Sequence, residues 1–137
     1  MAANSTVIIP STSHNSTDAN PISLVGSKYK GAGFYGLGDG FHTVQIQTTT
    51  FSGTIQIQGT LASNPTDEDW INVRFGAVGG FAVDTTGLIT TGEYLDFIGL
   101  TTASVNTVYN FTGNFVWIRA NISNWTAGTV NQVLLNF

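Results

Sequence analysis

FHTVQIQTTTFSGTIQIQGTL, residues Phe41 to Leu61, decides the fold. Val44 and Ile46 alternate with Thr43, Gln45 and Gln47, and Ile55 and Ile57 alternate with Thr54, Gln56 and Gln58. This is the period-2 spacing at which a strand sends neighbouring side chains to opposite faces. One face is aliphatic and the other carries amides and hydroxyls, so each run covers a core on one side only. Between them lies Thr48-Thr49-Thr50-Phe51-Ser52-Gly53, with turn chemistry at Ser52-Gly53. The reading is a β-hairpin or a tight strand-to-strand connection.

Downstream, the same alternation recurs in Trp70 to Phe75, where Trp70, Asn72 and Arg74 oppose Ile71, Val73 and Phe75. It recurs in Thr107 to Phe111 and in Phe115 to Ile122, where Val116, Ile118, Ala120 and Ile122 oppose Trp117, Arg119 and Asn121. A turn is expected at Asn124 to Gly128, followed by a strand with Val133, Leu135 and Phe137 on one face. Weaker strands are expected at Phe81 to Val83, Leu88 to Thr90 and Tyr94 to Leu100, with turns at residues 76–80, 85–87 and 91–93. No window shows helical periodicity with caps. About eight short strands separated by turns predict an all-β fold, a single β-sandwich or jelly-roll-like domain.

The segment before residue 28 differs. Apart from Val7-Ile8-Ile9 and Ile22-Ser23-Leu24-Val25 it is mostly Ser, Thr, Asn and Pro. Such a segment buries too little apolar surface on its own to offset its ordering entropy. Two outcomes are open: Val7-Ile8-Ile9 is the first strand of the sheet, or the segment lies along a neighbouring subunit. The division drawn is an extended N-terminal arm, residues 1–27, and a sandwich body, residues 28–137. Removing residues 1–25 should then leave a folded body.

Charged residues make up only 9% of the 137 residues, against about 25% in ordinary domains. A solitary soluble chain usually carries more charge, which points to a subunit packed against copies of itself or other subunits. Net charge is −4, with Lys28, Lys30, Arg74 and Arg119 as the basic residues. They are too few and scattered for a nucleic-acid footprint. Without cysteine there is no disulfide framework and no thiolate site. The residues after Met1 lack the basic and apolar regions of a signal peptide, and no run approaches the about 18 apolar residues of a membrane span. The expectation is a chain made in a cytoplasm.

Chemistry-bearing motifs are weak. Gly31, Gly33 and Gly36 match Gly-x-Gly-x-x-Gly, but a strand follows where phosphate binding needs a helix N-terminus. The glycine run reads as a turning loop anchored by Phe34, Tyr35 and Leu37. Asp67-Glu68-Asp69 offers oxygens to a hard cation, yet lacks a calcium-loop pattern and reads as a solvated turn. His42 beside Asp39 reads as a hydrogen-bonded surface or interface residue, because metal sites need roughly three or four convergent ligands. Glu93 and Asp96 face opposite sides of a strand and make a poor carboxylate pair. No Gly-x-Ser-x-Gly elbow is present. The chain is therefore expected to be no enzyme, with no catalytic residue, metal or cofactor. The Asn-x-Ser/Thr triplets at Asn4, Asn15, Asn110, Asn121 and Asn124 are what this composition produces by chance. Trp70, Trp117 and Trp125 suit either an interface or a carbohydrate platform.

In whole-chain texture the sequence resembles small virion structural proteins of tailed bacteriophages, cyanophage-like ones in particular. The likeness is carried by Phe41 to Leu61, NPTDEDW (Asn64 to Trp70) and VYNFTGNFVWIRANI (Val108 to Ile122). It implies a non-enzymatic virion component, first a head decoration or cement protein. Its partners would be copies of itself, a trimer favoured, and the major capsid protein or other virion subunits. It would be assembled in the host cytoplasm, without nucleic acid or membrane. The expected interface is Val7, Ile8, Ile9, Ile22, Leu24, Val25, Trp70, Trp117 and Trp125. A neck, baseplate or tail component is one alternative, and a carbohydrate-binding or adhesin module is another.

Overall fold

The computed structural model describes residues 5–15, 20–76, 81–83, 89–91, 94–95 and 97–137. The fold is all-β and antiparallel. The strands in chain order are β1 (Thr6–Ile9), β2 (Thr12–Ser13), β3 (Ile22–Val25), β4 (Tyr29–Lys30), β5 (Phe41–Thr60), β6 (Ile71–Asn72), β7 (Phe75–Gly76), β8 (Phe81–Val83), β9 (Ile89–Thr91), β10 (Tyr94–Leu95), β11 (Ile98–Ala103), β12 (Asn106–Thr112) and β13 (Trp117–Asn136). Single 3-10 turns occur at Ala32–Tyr35 and Asp67–Asp69.

Phe41 to Thr60 is one strand, which corrects the hairpin expected there. The two alternating runs do not pair with each other. Both pair with β13, from Thr43 opposite Asn136 to Thr60 opposite Trp117. The Thr-rich break is a bend. Before it the even positions His42, Val44, Ile46 and Thr48 are buried; after it the odd positions Phe51, Ile55 and Ile57 are. One added residue has switched the pleat, as a β-bulge does. The partner strand answers in kind. Buried positions in β13 run Ile118, Ala120, Ile122, then Trp125, then Val130, then Val133 and Leu135. Each change of parity coincides with a register shift, between Ser123 and Ala127, between Ala127 and Thr129, and between Val130 and Gln132. The turn expected at Asn124 to Gly128 is this same crease seen in β13.

Four rows of chain therefore cross one crease. β5 and β13 are the central rows. On one side, β11 and then β12 run antiparallel to β5, from Ile98 opposite Ile55 to Thr112 opposite Phe41. On the other, β1, β2, β3 and β4 run along β13 from Leu135 back to Trp117. Folding the sheet on itself brings both halves around one core, giving a sandwich-like body in which strand bends make the corner. Ile46 and Ile55, one from each half, are both fully buried in it.

The crease is where backbone strain collects. Thr50 (φ 45), Thr102 (φ 45) and Asn124 (φ 50), the non-glycine residues with positive φ among those described, all lie there with Gly128 (φ 88). Such a φ is costly for a β-branched residue. The local abundance of hydroxyls has a matching reason, since bending removes ladder partners from backbone amides. Thr102 N–H donates to Ser52 Oγ at 2.8 Å, Thr50 N–H to Ser104 Oγ at 3.0 Å and Val105 N–H to Thr48 Oγ1 at 3.2 Å.

The described part of residues 1–27 lies on its own body. Ile8 and Ile9 belong to the core, 2% and 1% exposed. Of the two outcomes left open by the sequence, Val7-Ile8-Ile9 is thus the first strand of the sheet. The cause is that β13 would otherwise present an unpaired edge along its length, and the apolar dots in the polar segment match that edge.

Candidate functional site

His42 organises the region between β4 and β5. Its Nε2 accepts the Ala32 N–H at 3.0 Å, and its Nδ1–H donates to Gly40 O at 2.9 Å. The ring stacks on Phe111 with centroids 4.8 Å apart and planes 1° from parallel. It is hydrogen-bonded as expected, but fully buried within the chain, which corrects the surface or interface position expected for it. Burial holds its pKa below the ordinary imidazole value, against the opposing effects of the Gly40 hydrogen bond and the Asp39 charge. Both ring nitrogens are engaged in holding a turn, and the neutral tautomer is set by those partners.

What His42 holds is the glycine run. Gly31 N–H donates to Val116 O and Gly33 N–H to Phe115 O, both at 2.9 Å. The chain lies so close to the 113–116 loop that a Cβ on Gly33 would sit 2.1 Å from Asn114 O. Glycine is there for close approach, as the absence of a following helix suggested. Of the expected anchors, Phe34 packs on Trp117 and Tyr35 on Phe137, yet Phe34, Tyr35 and Leu37 all keep exposed area. They are 44%, 56% and 44% exposed, and Phe41, which opens β5 after the turn, is 51% exposed. The turn is anchored from beneath through Ala32, so these side chains form an outward apolar lip.

Beside the lip is a groove of about 260 Å³ lined by Lys28, Tyr29, Lys30, Tyr35, Trp117 and Phe137, with Thr6 at its margin. β4 positions the first part by pairing Lys30 with Trp117 and Tyr29 with Ile118. Lys28 Nζ lies 4.4 Å from the Trp117 ring centroid and Lys30 Nζ 4.5 Å from that of Phe34. Tyr35 stacks on Phe137 at 5.7 Å. Trp117 is fixed by Nε1–H donation to Ser63 O at 2.9 Å. The groove therefore offers two ammonium groups held near aromatic faces.

The residues expected at an interface separate into three groups. Ile8, Ile9 and Trp125 are core, and Trp125, 1% exposed, packs on Phe51 and donates Nε1–H to Ala127 O. Trp125 is inward because the crease shifts the parity of β13 at that position. Val7 and Val25 are exposed, while Ile22 and Leu24 are half-buried against the core. Trp70 and Trp117 are half-buried on the outer side, Trp70 beneath the Arg119 guanidinium at 4.4 Å and Trp117 between Lys28 and Phe34. The three tryptophans do not form one platform. The sequence offered Lys28 and Lys30 only as scattered charges and Tyr35 only as a loop anchor, not as one groove; the signal available was that both lysines flank one tyrosine next to the glycine run.

Elsewhere the outer sheet faces carry amide ladders. Gln132 donates to Gln47 at 2.8 Å, and both Arg119 Nε and Asn121 Nδ2 donate to Gln58 Oε1. Asp69 is occupied capping Thr66 at 2.7 Å, and Asp67 points to solvent with Arg119 at 3.6 Å. Among the described residues no His, Asp or Glu cluster could hold a metal, and no helix is long and apolar enough to cross a membrane. Glu93 and Asp96 lie outside the described residues, as do residues 77–80, 85–87 and 92–93 of the turns expected at 76–80, 85–87 and 91–93. Compared with known proteins, the chain matches no family model, no curated protein and no solved structure.

Proposed function

We propose that this chain is a non-enzymatic structural subunit that assembles through uncharged surface, in the form its sequence resemblance suggests, a phage capsid decoration or cement protein. The observation that carries this reading is the apolar lip, Phe34, Tyr35, Leu37 and Phe41, on a protein with so little charge. Large exposed apolar patches mark contact surfaces. The uncharged amide faces fit the same role, because pairing them with a partner desolvates no net charge. A jelly-roll-like body, a homotrimer and capsid subunits as partners are part of this proposal. In this reading the described N-terminal segment closes the edge of β13, and contact with neighbours is given to the lip. A neck or tail position is the closest variant of the reading.

Light scattering coupled to size exclusion tests it. The native chain should elute as a homo-oligomer, and Leu37→Asp with Phe41→Asp should yield a folded monomer. A native chain that stays monomeric across its soluble range refutes self-assembly. A carbohydrate module is the second reading, supported by the aromatic and cationic lining of the groove beside the lip.

A further inference from the structure

We infer that the groove between β4, the Ala32–Tyr35 turn and the ends of β13 binds a single acidic sugar residue, a carboxylated or sulfated hexose. Lys28 and Lys30 are the chain's only lysines, and both line it. Acids outnumber bases eight to four, yet neither lysine makes an ion pair with a described carboxylate. Arg119, by contrast, meets Asp67. The two ammonium groups instead rest over Trp117 and Phe34. This gathers both lysines, neither of them in an ion pair with a described side-chain carboxylate, into one groove of a protein whose net charge is −4.

That combination selects the ligand. A lone carboxylate or sulfate here meets lysine ammonium groups and gains charge-assisted hydrogen bonding from them. A long polyanion would meet the negative remainder of the surface, which is why nucleic acid does not fit. Tyr29, Tyr35 and Thr6 line the groove and bring hydroxyls to it, and Tyr35 stacked on Phe137 adds an apolar wall. A pyranose has the complementary form, with an apolar C–H face and a rim of hydroxyls. The volume of about 260 Å³, just below the roughly 300 Å³ at which small-molecule pockets begin, leaves room for no more than one ring and its acid group. The inference does not rest on the assembly reading, since one is read by sugar affinity and the other by mass.

The test is titration of the full chain with glucuronic acid, N-acetylneuraminic acid and glucose 6-sulfate, followed by Trp117-sensitive fluorescence and calorimetry. Glucose and a mononucleotide serve as comparators. The expected result is saturable binding of at least one acidic sugar at roughly millimolar strength. Lys28→Gln and Lys30→Gln should each weaken it about tenfold, the loss of one charge-assisted bond. Tyr35→Ala, a change at an exposed side chain, should weaken it with an unchanged melting temperature. No binding of any acidic sugar overturns the inference. So does glucose binding as tightly, lysine variants that leave affinity unchanged, or a mononucleotide binding more tightly than every sugar.

Discussion

Trp117 opens β13 and Phe137 directly follows its last residue, yet their rings lie 5.3 and 5.7 Å from those of two consecutive residues, Phe34 and Tyr35. A straight strand of that length would hold them about 66 Å apart. The bend in β13 thus sets the core and also assembles the groove, because it returns both ends of one strand to a single turn.

The crease should be sensitive to one methyl group. Gly128 has φ 88, and a Cβ there would lie 2.1 Å from Thr50 O. Gly128→Ala is expected to cost about 3 kcal/mol or more, combining positive-φ strain with a backbone clash. Gly38→Ala meets nothing within 4 Å and should leave the urea midpoint in place. Equal midpoints for the two variants would show that the crease is not where β5 and β13 touch.

His42 makes stability depend on pH in a defined direction. Burial depresses its folded pKa below the ordinary 6.5. The unfolded chain therefore takes up the proton first as pH falls. Its contribution is complete above about pH 6.5 and is lost as pH drops from there through the folded value. His42→Leu should remove this part of the pH profile. It should also cost about 2–4 kcal/mol at neutral pH, because the Ala32 N–H and Gly40 carbonyl lose their partner. Denaturant melts of both proteins between pH 7.5 and 5, on the order of the imidazole range, check it. Parallel profiles would reject the assigned role.

The N-terminal strand should be needed for folding. Ile9→Ala is expected to cost about 2–4 kcal/mol, the range for truncating a buried Ile. A chain lacking residues 1–25 should lose native near-ultraviolet dichroism, since Ile8 and Ile9 leave the core and β13 is left with an unpaired edge. A cooperative melt of the truncated chain near the full-length temperature would restore the picture of a dispensable arm.

Much of the fold was legible from residues 41–61 and 115–137. The alternation of Val44 and Ile46, then Ile55 and Ile57, announced strands with one buried face, and Ile118, Ala120 and Ile122 did the same. The break at Thr48 to Gly53 was visible as turn chemistry at Ser52-Gly53. Its meaning was not, because a hairpin turn and a bulged bend produce the same local pattern. Trp125 was misplaced for this reason: its face depends on how many residues the bend absorbs.

The site was less legible. His42 looked like a surface histidine because its partners, Ala32 N–H and Gly40 O, are backbone groups that carry no side-chain signature. The glycine run was readable as a turn, but whether Phe34 and Leu37 point inward depended on the 113–116 loop beneath it.

By itself the sequence determined that this is an all-β chain, poor in charge, with amide and hydroxyl faces turned outward, because strand periodicity and composition are local properties. Tertiary structure alone decided that two long strands fold over a shared crease, that the N-terminal strand completes the core, and that both lysines meet the ends of β13 at one groove. Those outcomes rest on pairings between residues about a hundred positions apart, and no local pattern encodes which distant edge a strand will cover.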